Sequence, residues 1–521
     1  MNLVFNSYGF VFLFLPLTVG GYTLAEHIWS DKETLAGVRR LLLTAASVLY
    51  MASFGLRSLL IFLCSISVTI VFSLLLRRFH SKILLTAALV LQVGALVYFK
   101  YAGVLTGSRI ALPLAVSFYT FSQISWLVDL YRREPELENW TVSEYLTYIT
   151  FFPKLLQGPI TRFAEMKPHL DRLGDIRFDV ESFTRGFLLF LLGLFEKVIL
   201  ADTLNVPVDY AYSHLNAIRF AEAWIITVAY PLSLYLDFSA YCNMGRGVAR
   251  MLGMDLPENF DKPYRSVNGS ELWGRWHSSL NRFFVRYIYI PLGGSRRGNA
   301  RTLANMMLVF VISGLWHGST WYFLVWGCMN GILATLTWAW IHIARPAIRG
   351  KLSHSRNSEA VTAATSTEPD HEPDHKTGAS LVSRILHGIR TAFCVLFMDL
   401  WLSVTFMIFH GPDSASVLAM VRKLLTPQPL RVAEYFATQF ELSELWYLIK
   451  ITPLSHMPYS RYYLMWIMLI GSWACACLLP KARTVSEKIK INAFTGFVFS
   501  ILFVWCVLAL GKVTEFAYFA F

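Results

Sequence analysis

Long apolar runs, recurring from one end of the chain to the other, constrain its fold more than any other feature. Residues 10–24, 59–76, 83–99, 187–200, 321–343, 395–409, 462–479 and 493–510 are each dominated by aliphatic and aromatic side chains. A bilayer hydrocarbon core takes about 20 residues of helix to cross, and no backbone polar group can go unpaired inside it. Read with several shorter or more polar stretches, these runs predict an all-α, polytopic membrane protein of about 10–12 crossings. Composition agrees: 55% of residues are hydrophobic and only 15% charged, where soluble domains carry about a quarter charged.

Charge placement predicts topology. The net charge of +12 falls largely in loops: Arg39-Arg40, Arg77-Arg78 with Lys82, and Arg132-Arg133 alternate with loops holding only Arg57, Lys100 and Arg109. The positive-inside rule puts the paired arginines in the cytoplasm and Met1 outside. The basic excess then serves topology and lipid headgroups, and no nucleic acid partner is expected. Nothing basic precedes the first apolar run and no small-residue cleavage site follows it, so it reads as a retained helix rather than a signal peptide. Seven cysteines, mostly in apolar runs, form no Cys-x-x-Cys pair; they read as small buried hydrophobes, with no metal site.

One composition break divides the chain. Residues 350–380 hold almost no large apolar side chains and read as a hydrophilic, disordered linker. It separates a unit at 1–349, which carries every chemical motif, from a helical group at 381–521. A repeated Glu-Pro-Asp-His around His371 and His375 reads as part of that linker.

Between about residues 243 and 301 the chain is too polar and too broken by Pro and Gly for ordinary spans. Such backbone is tolerated at membrane depth where it is buried in protein or lines a cavity. The block therefore predicts re-entrant and interfacial helices packed into a pore or funnel, with Asn281 to Ile288 as an amphipathic interfacial helix.

Two histidines concentrate the chemistry. His277 lies in Glu271-Leu272-Trp273-Gly274-Arg275-Trp276-His277-Ser278-Ser279-Leu280, and His317 in Ser313-Gly314-Leu315-Trp316-His317-Gly318-Ser319. Ionisable groups at membrane depth are costly, and imidazole exchanges a proton near neutral pH. On a continuous helix Trp273, His277 and Asn281 share one face, which suits either a polar substrate or a histidine packed between aromatics. Small residues around His317 leave room for helix packing or for an entering ligand. His317 suits a general base for a hydroxyl attacking an acyl carbonyl, or a structural histidine bonded to a carbonyl. Asp237 can orient a histidine or neutralise Arg246 or Arg250. No nucleophile elbow, Walker loop, Gly-x-Gly-x-x-Gly or Asp-x-Asp motif is present, which argues against ATP-driven pumps and glycosyltransferases.

The chain resembles the membrane-bound O-acyltransferase family, in its bacterial alginate O-acetyltransferase branch. The resemblance rests on both histidine motifs together with 4–8, 12–17, 112–121, Phe151-Phe152-Pro153-Lys154-Leu155-Leu156-Gln157-Gly158-Pro159-Ile160, 235–241, Pro257-Glu258-Asn259-Phe260, Pro263-Tyr264 and 289–294. It implies a helical fold around a buried tunnel, with His317 catalytic and His277 a second site residue; Trp273, Trp276, Asn281, Trp316 and Asp237 are the substrate-binding candidates read from the residues beside them. The resemblance implies an acyl group, generally acetyl, taken from a cytoplasmic thioester donor such as acetyl-CoA or a carrier thioester. No bound cofactor is implied. The group passes across a bacterial inner membrane to an exported polysaccharide, with a periplasmic acetyltransferase partner. D-alanyl transfer to teichoic acid and peptidoglycan O-acetylation are the alternatives within the family. A non-covalent transporter would show internal repeats, and none is evident. The chain departs from the branch at Asn243, at Asn330, around His410 and in its long linker, so His410 is left outside the site.

Overall fold

The computed structural model describes residues 2–107, 111–346, 348, 381–411, 413–442, 444, 449–453 and 457–512. The segment read as a linker, 350–380, lies outside them. Among the described residues every regular element is helical, as a chain must be if lipid offers its backbone no partners. Seven helices among the described residues are long and apolar enough to cross a membrane. An eighth span is counted if the pair Ser460–Cys477 and Ala482–Lys488, bent by 70°, acts as one. The expectation of ten to twelve also counted the runs 187–200 and 493–510, which fall on the shorter helices Val180–Phe195, with the π turn after it, and Ala493–Ala509.

The first four long helices are α1 (Leu15–Ile28), α2 (Lys32–Ala52), α3 (Leu56–Phe79) and α4 (Lys82–Thr106). Arg39 of α2, read from sequence as a topological charge, is only 1% exposed. It ties α2 inward, donating to the carbonyls of Leu173 and Ile176 at 2.7 Å each and pairing with Glu26 at 2.9 Å. Next come α5 (Val116–Tyr131), α6 (Val142–Thr150), the one-turn α7 (Phe152–Leu155), α8 (Phe163–Asp171), α9 (Val180–Phe195), α10 (Asp202–Ser213) and α11 (Phe220–Met251).

At 32 residues α11 is the axis of the molecule, and it packs most extensively on α9. The two backbones approach closely through glycine. A Cβ on Gly247 would lie 2.6 Å from the Gly186 carbonyl oxygen, and one on Gly186 would lie 2.8 Å from that of Gly247. Small residues serve this purpose wherever helices must pack in lipid. After α9 a π-helical turn, Glu196–Ala201, turns Lys197 inward. There its ammonium pairs with Asp237 of α11 at 2.7 Å and with Asp202 at 2.8 Å.

Within the polar block at 243–301, residues 243–251 continue α11 instead, and the stretch from 269 folds into short broken helices. They are α12 (Gly269–Arg275) and α13 (Ser278–Phe284), followed by a π turn at Val285–Tyr289. On α13 and this turn, Phe283 and Phe284 are buried. Arg286 reaches outward to Glu134 at 2.6 Å and Asp129 at 3.4 Å. The chain returns through α14 (Asn299–His317) and α15 (Trp321–Ala339), then through α16 (Leu381–His410), whose Phe406 and Phe409 reach the same interior.

Candidate active site

His317 is the last residue of α14, and the glycines around it set the close packing of its helix. A Cβ on Gly314 would lie 2.5 Å from the Phe323 carbonyl oxygen and 3.2 Å from the Gly327 Cα, so α14 and α15 meet backbone to backbone. Gly318 gives way to the Phe323 ring. Of the two purposes the small residues allowed, helix packing accounts for both glycines, while Ser313 faces a cavity. The His317 ring is 4% exposed and is walled edge-on by Trp316, Trp326 and Phe409, with centroids at 4.6, 5.0 and 5.1 Å.

A helix ending here leaves its last carbonyls without partners inside the helix. Lys100 and Tyr101, from the end of α4, supply them: Lys100 Nζ donates to the Trp316 carbonyl, and Tyr101 Oη to that of Leu315. The sequence reading had treated Lys100 as a loop charge. Its partner is a helix terminus 216 positions away, a contact no local pattern reveals.

His277 does not lie on a continuous helix with Trp273 and Asn281, as the four-residue spacing predicted. The helix breaks. Trp276 is extended, at φ −93° and ψ 124°, and His277 takes the left-handed conformation at φ 47°. Such backbone is strained for a residue with a Cβ and persists where its surroundings fix it. Asn259 fixes it. The Asn259 carbonyl accepts from Ser278 N at 2.8 Å, and its Oδ1 accepts from Ser279 N at 3.2 Å and Ser279 Oγ at 2.8 Å. The same Oδ1 lies 3.0 Å from His277 Nδ1. Because that oxygen is already an acceptor, Nδ1 carries the proton and donates, leaving Nε2 as an acceptor. Asn259 was visible only as part of Pro257-Glu258-Asn259-Phe260, with nothing to mark it as a clamp. Its loop is held in turn by Lys481, which bonds Glu258 at 2.9 Å and Asp261 at 2.7 Å. The Lys481 hydrogen bond also holds the Asp261 carboxyl below its ordinary range.

The break nevertheless keeps the predicted residues together. Trp273, Trp276, His277, Asn281 and His317 all line one cavity of about 60 Å³, with Ser313 and an apolar wall of Leu280, Phe284, Val309, Phe310 and Trp326. Inside the protein, Trp273 Nε1 and His277 Nε2 are buried with no hydrogen-bond partner among the described residues. Trp326, which lines the same cavity, has its Nε1 likewise buried without a partner; buried polar atoms are normally paired, so these two donors and one acceptor beside one cavity are what a polar ligand would satisfy.

Two candidates lie elsewhere. Trp316 does not line this cavity, although its ring meets that of His317 edge-on; it also stacks on Phe121 at 5.3 Å. Asp237 is fully buried but bonded to Lys197, because the π turn after α9 swings that lysine toward α11. Of the arginines it was weighed against, Arg246 pairs with Glu258 at 3.7 Å and Arg250 with Glu487 at 3.1 Å. Nor does His410 line the cavity; it contacts Asp209 at 3.1 Å.

Comparison with known proteins gives the family. Residues 86–358 match the family model described as MBOAT, membrane-bound O-acyltransferase family. A peptidoglycan O-acetyltransferase of Helicobacter pylori is 31% identical over 382 residues, covering 66% of this chain and 72% of that protein. A protein named a probable alginate O-acetylase, from Azotobacter vinelandii, is 33% identical over 351 residues, covering 63% and 67%. A teichoic acid D-alanyltransferase of Streptococcus thermophilus is 26% identical over 266 residues, covering 48% and 63%. Matched by the family model over more than half its length, and across both histidine motifs, this multi-pass helical chain is an acyltransferase of the membrane-bound O-acyltransferase family.

Proposed function

We propose that this protein takes an acetyl group from a cytoplasmic thioester and passes it across a bacterial inner membrane for O-acetylation of an exported polysaccharide. The observation that carries this reading is the meeting of His277 and His317 on one small cavity. His317 takes the proton from an acceptor hydroxyl as its oxygen attacks the thioester carbonyl. The C–S bond breaks, and the departing thiolate takes that proton back from His317. Ester and free thiol are the products, with no net change in protonation. General base catalysis of this kind contributes about two to four orders of magnitude.

The remaining roles follow from hydrogen-bonding capacity. The Trp273 indole N–H and the Asn281 amide are donors and suit the acyl oxygen as charge gathers on it. His277, its Nδ1–H committed to Asn259, offers an acceptor. It holds a hydroxyl or amide N–H of a substrate and does not polarise the carbonyl. Trp276 encloses the site. The thioester donor is a substrate, and the acceptor hydroxyl belongs to the glycan or to a periplasmic acetyltransferase partner. The preceding topology, with the amino terminus periplasmic, puts donor and acceptor on opposite faces.

Peptidoglycan O-acetylation is the second reading, favoured by the Helicobacter relative, of which this chain covers 72%. Both readings are tested together by measuring O-acetyl content by NMR in a deletion strain complemented with wild type or His317→Ala. Acetylation of the secreted polysaccharide by wild type, with a loss of about 100-fold or more in the variant, is expected. Equal restoration by both removes His317 from the chemistry. Acetylation appearing in peptidoglycan instead selects the second reading.

A further inference from the structure

Phe284 borders two spaces. On one side is the histidine cavity, about 60 Å³. On the other is a groove of about 600 Å³ between α4, α5, α13 with its following π turn, and α14. Among the described residues, Phe284 lines both. The groove is almost wholly apolar, walled by Val93, Val97 and Leu105 of α4, which are 45, 49 and 82% exposed. α4 is the least buried of the membrane-crossing candidates, so the groove opens sideways toward lipid. The Phe284 ring is 3% exposed and packs on Phe121 and Phe283 of the groove wall, each with its centroid at 5.9 Å.

Resting on the acyl-transfer reading above, we infer that the Phe284 ring sets the acyl-chain length by closing the histidine cavity off from this groove. One water takes about 10–15 Å³ of such space. The cavity therefore holds only about four to six water-sized groups, enough for an acetyl carbon skeleton, its oxygen and the attacking hydroxyl. A longer chain has no room in the cavity. The apolar space that would receive it lies directly behind one aromatic ring. The specificity for a short acyl group thus resides in a wall, and shortening that wall joins the cavity to a groove large enough for a medium-length chain.

The test uses the purified full-length protein in lipid nanodiscs, with S-acetyl-, S-butyryl- and S-octanoyl-N-acetylcysteamine as donors and a mannuronate oligosaccharide as acceptor. Free thiol release and ester formation are both measured. In Phe284→Ala the octanoyl-to-acetyl ratio is expected to rise by at least about tenfold over wild type, the scale on which a hydrophobic pocket discriminates chain length. Phe310→Ala enlarges the cavity without opening it onto the groove, and should extend use only to butyryl. An unchanged octanoyl-to-acetyl ratio in Phe284→Ala, or an equal octanoyl gain in Phe310→Ala, overturns the inference. Binding of the unreactive S-octyl-N-acetylcysteamine, read as a Tm shift, gives a readout that needs no turnover. A shift in Phe284→Ala and none in wild type supports the wall, and equal shifts refute it. If Phe284→Ala does not fold, Phe284→Leu replaces it with a smaller expected gain. Absence of thiol release and ester formation by wild type, both with the oligosaccharide alone and with a periplasmic acetyltransferase partner added, while the octyl probe still discriminates, would remove the acyl-transfer reading and leave the wall standing.

Discussion

Helices α4 and α11 are both apolar enough to cross a membrane, yet they occupy opposite environments. The most apolar stretch of α4, although the more hydrophobic of the two, is only 11% buried within the protein, whereas that of α11 is 94% buried. In water this ranking would be reversed, because hydrophobicity drives burial there. Lipid accepts apolar surface as readily as protein does, so in a bilayer burial follows packing and polarity instead. α11 is interior because it carries what lipid cannot accommodate: Asp237, Ser233, Ser239, and the glycines that admit a neighbouring backbone. The same logic separates the two spaces around Phe284, one faced by histidines and tryptophans, the other by the aliphatic face of α4.

The contrast can be broken most severely at Gly247. A leucine there would force α9 and α11 apart, since even a Cβ would lie 2.6 Å from the Gly186 carbonyl. Loss of the folded protein is expected, scored as absence of a monodisperse species after detergent extraction, because overpacking against backbone cannot relax by a change of rotamer.

A smaller but still large effect is expected at Lys197. Replacing it with Met leaves Asp237 and Asp202 facing each other without their shared cation. Breaking a buried ion pair from one side costs about 3–5 kcal/mol. Thermal unfolding should show a large drop in Tm, and Lys197→Met combined with Asp237→Leu should recover part of it. Equal Tm values for single and double variants would show that the charge is not what holds this end of α11.

The smallest effect belongs to α4. Gly94 has nothing within 4 Å of where its Cβ would be. Gly94→Leu should change Tm by no more than a surface substitution does, within about 0.5 kcal/mol, while the same change in α11 is destructive. A strong effect at Gly94 would mean that a further surface covers α4 in the membrane.

Much of the site could be read from the sequence because its chemistry is unusual for a membrane. His277, His317, Trp273, Trp276 and Asn281 stood out by their rarity at such depth, and all five line one cavity. The geometry that brings them together could not be read. Four-residue spacing implied a continuous helix, whereas a break at Trp276–His277, clamped by Asn259 from eighteen positions upstream, directs the ring. Trp316 and Asp237 were placed in the site by proximity to a motif or by charge, and the structure assigns them to a helix packing face and to a lysine. Lys100, Asn259 and Phe284 carried no local signal because each acts on a partner distant in sequence.

From sequence alone came the solvent and the reagents: an apolar chain of repeated spans, all helical because lipid leaves the backbone no other partners, with two histidines too costly to leave at membrane depth without a use. Tertiary structure alone decided which apolar helices face protein and which face lipid, which buried carboxylate meets which cation, and how far the cavity beside the histidines extends. Composition fixes the free energy of transferring each residue, and that is a local quantity. Cavity size, ion pairing and backbone strain depend on which distant segments meet, and only the packed chain sets that.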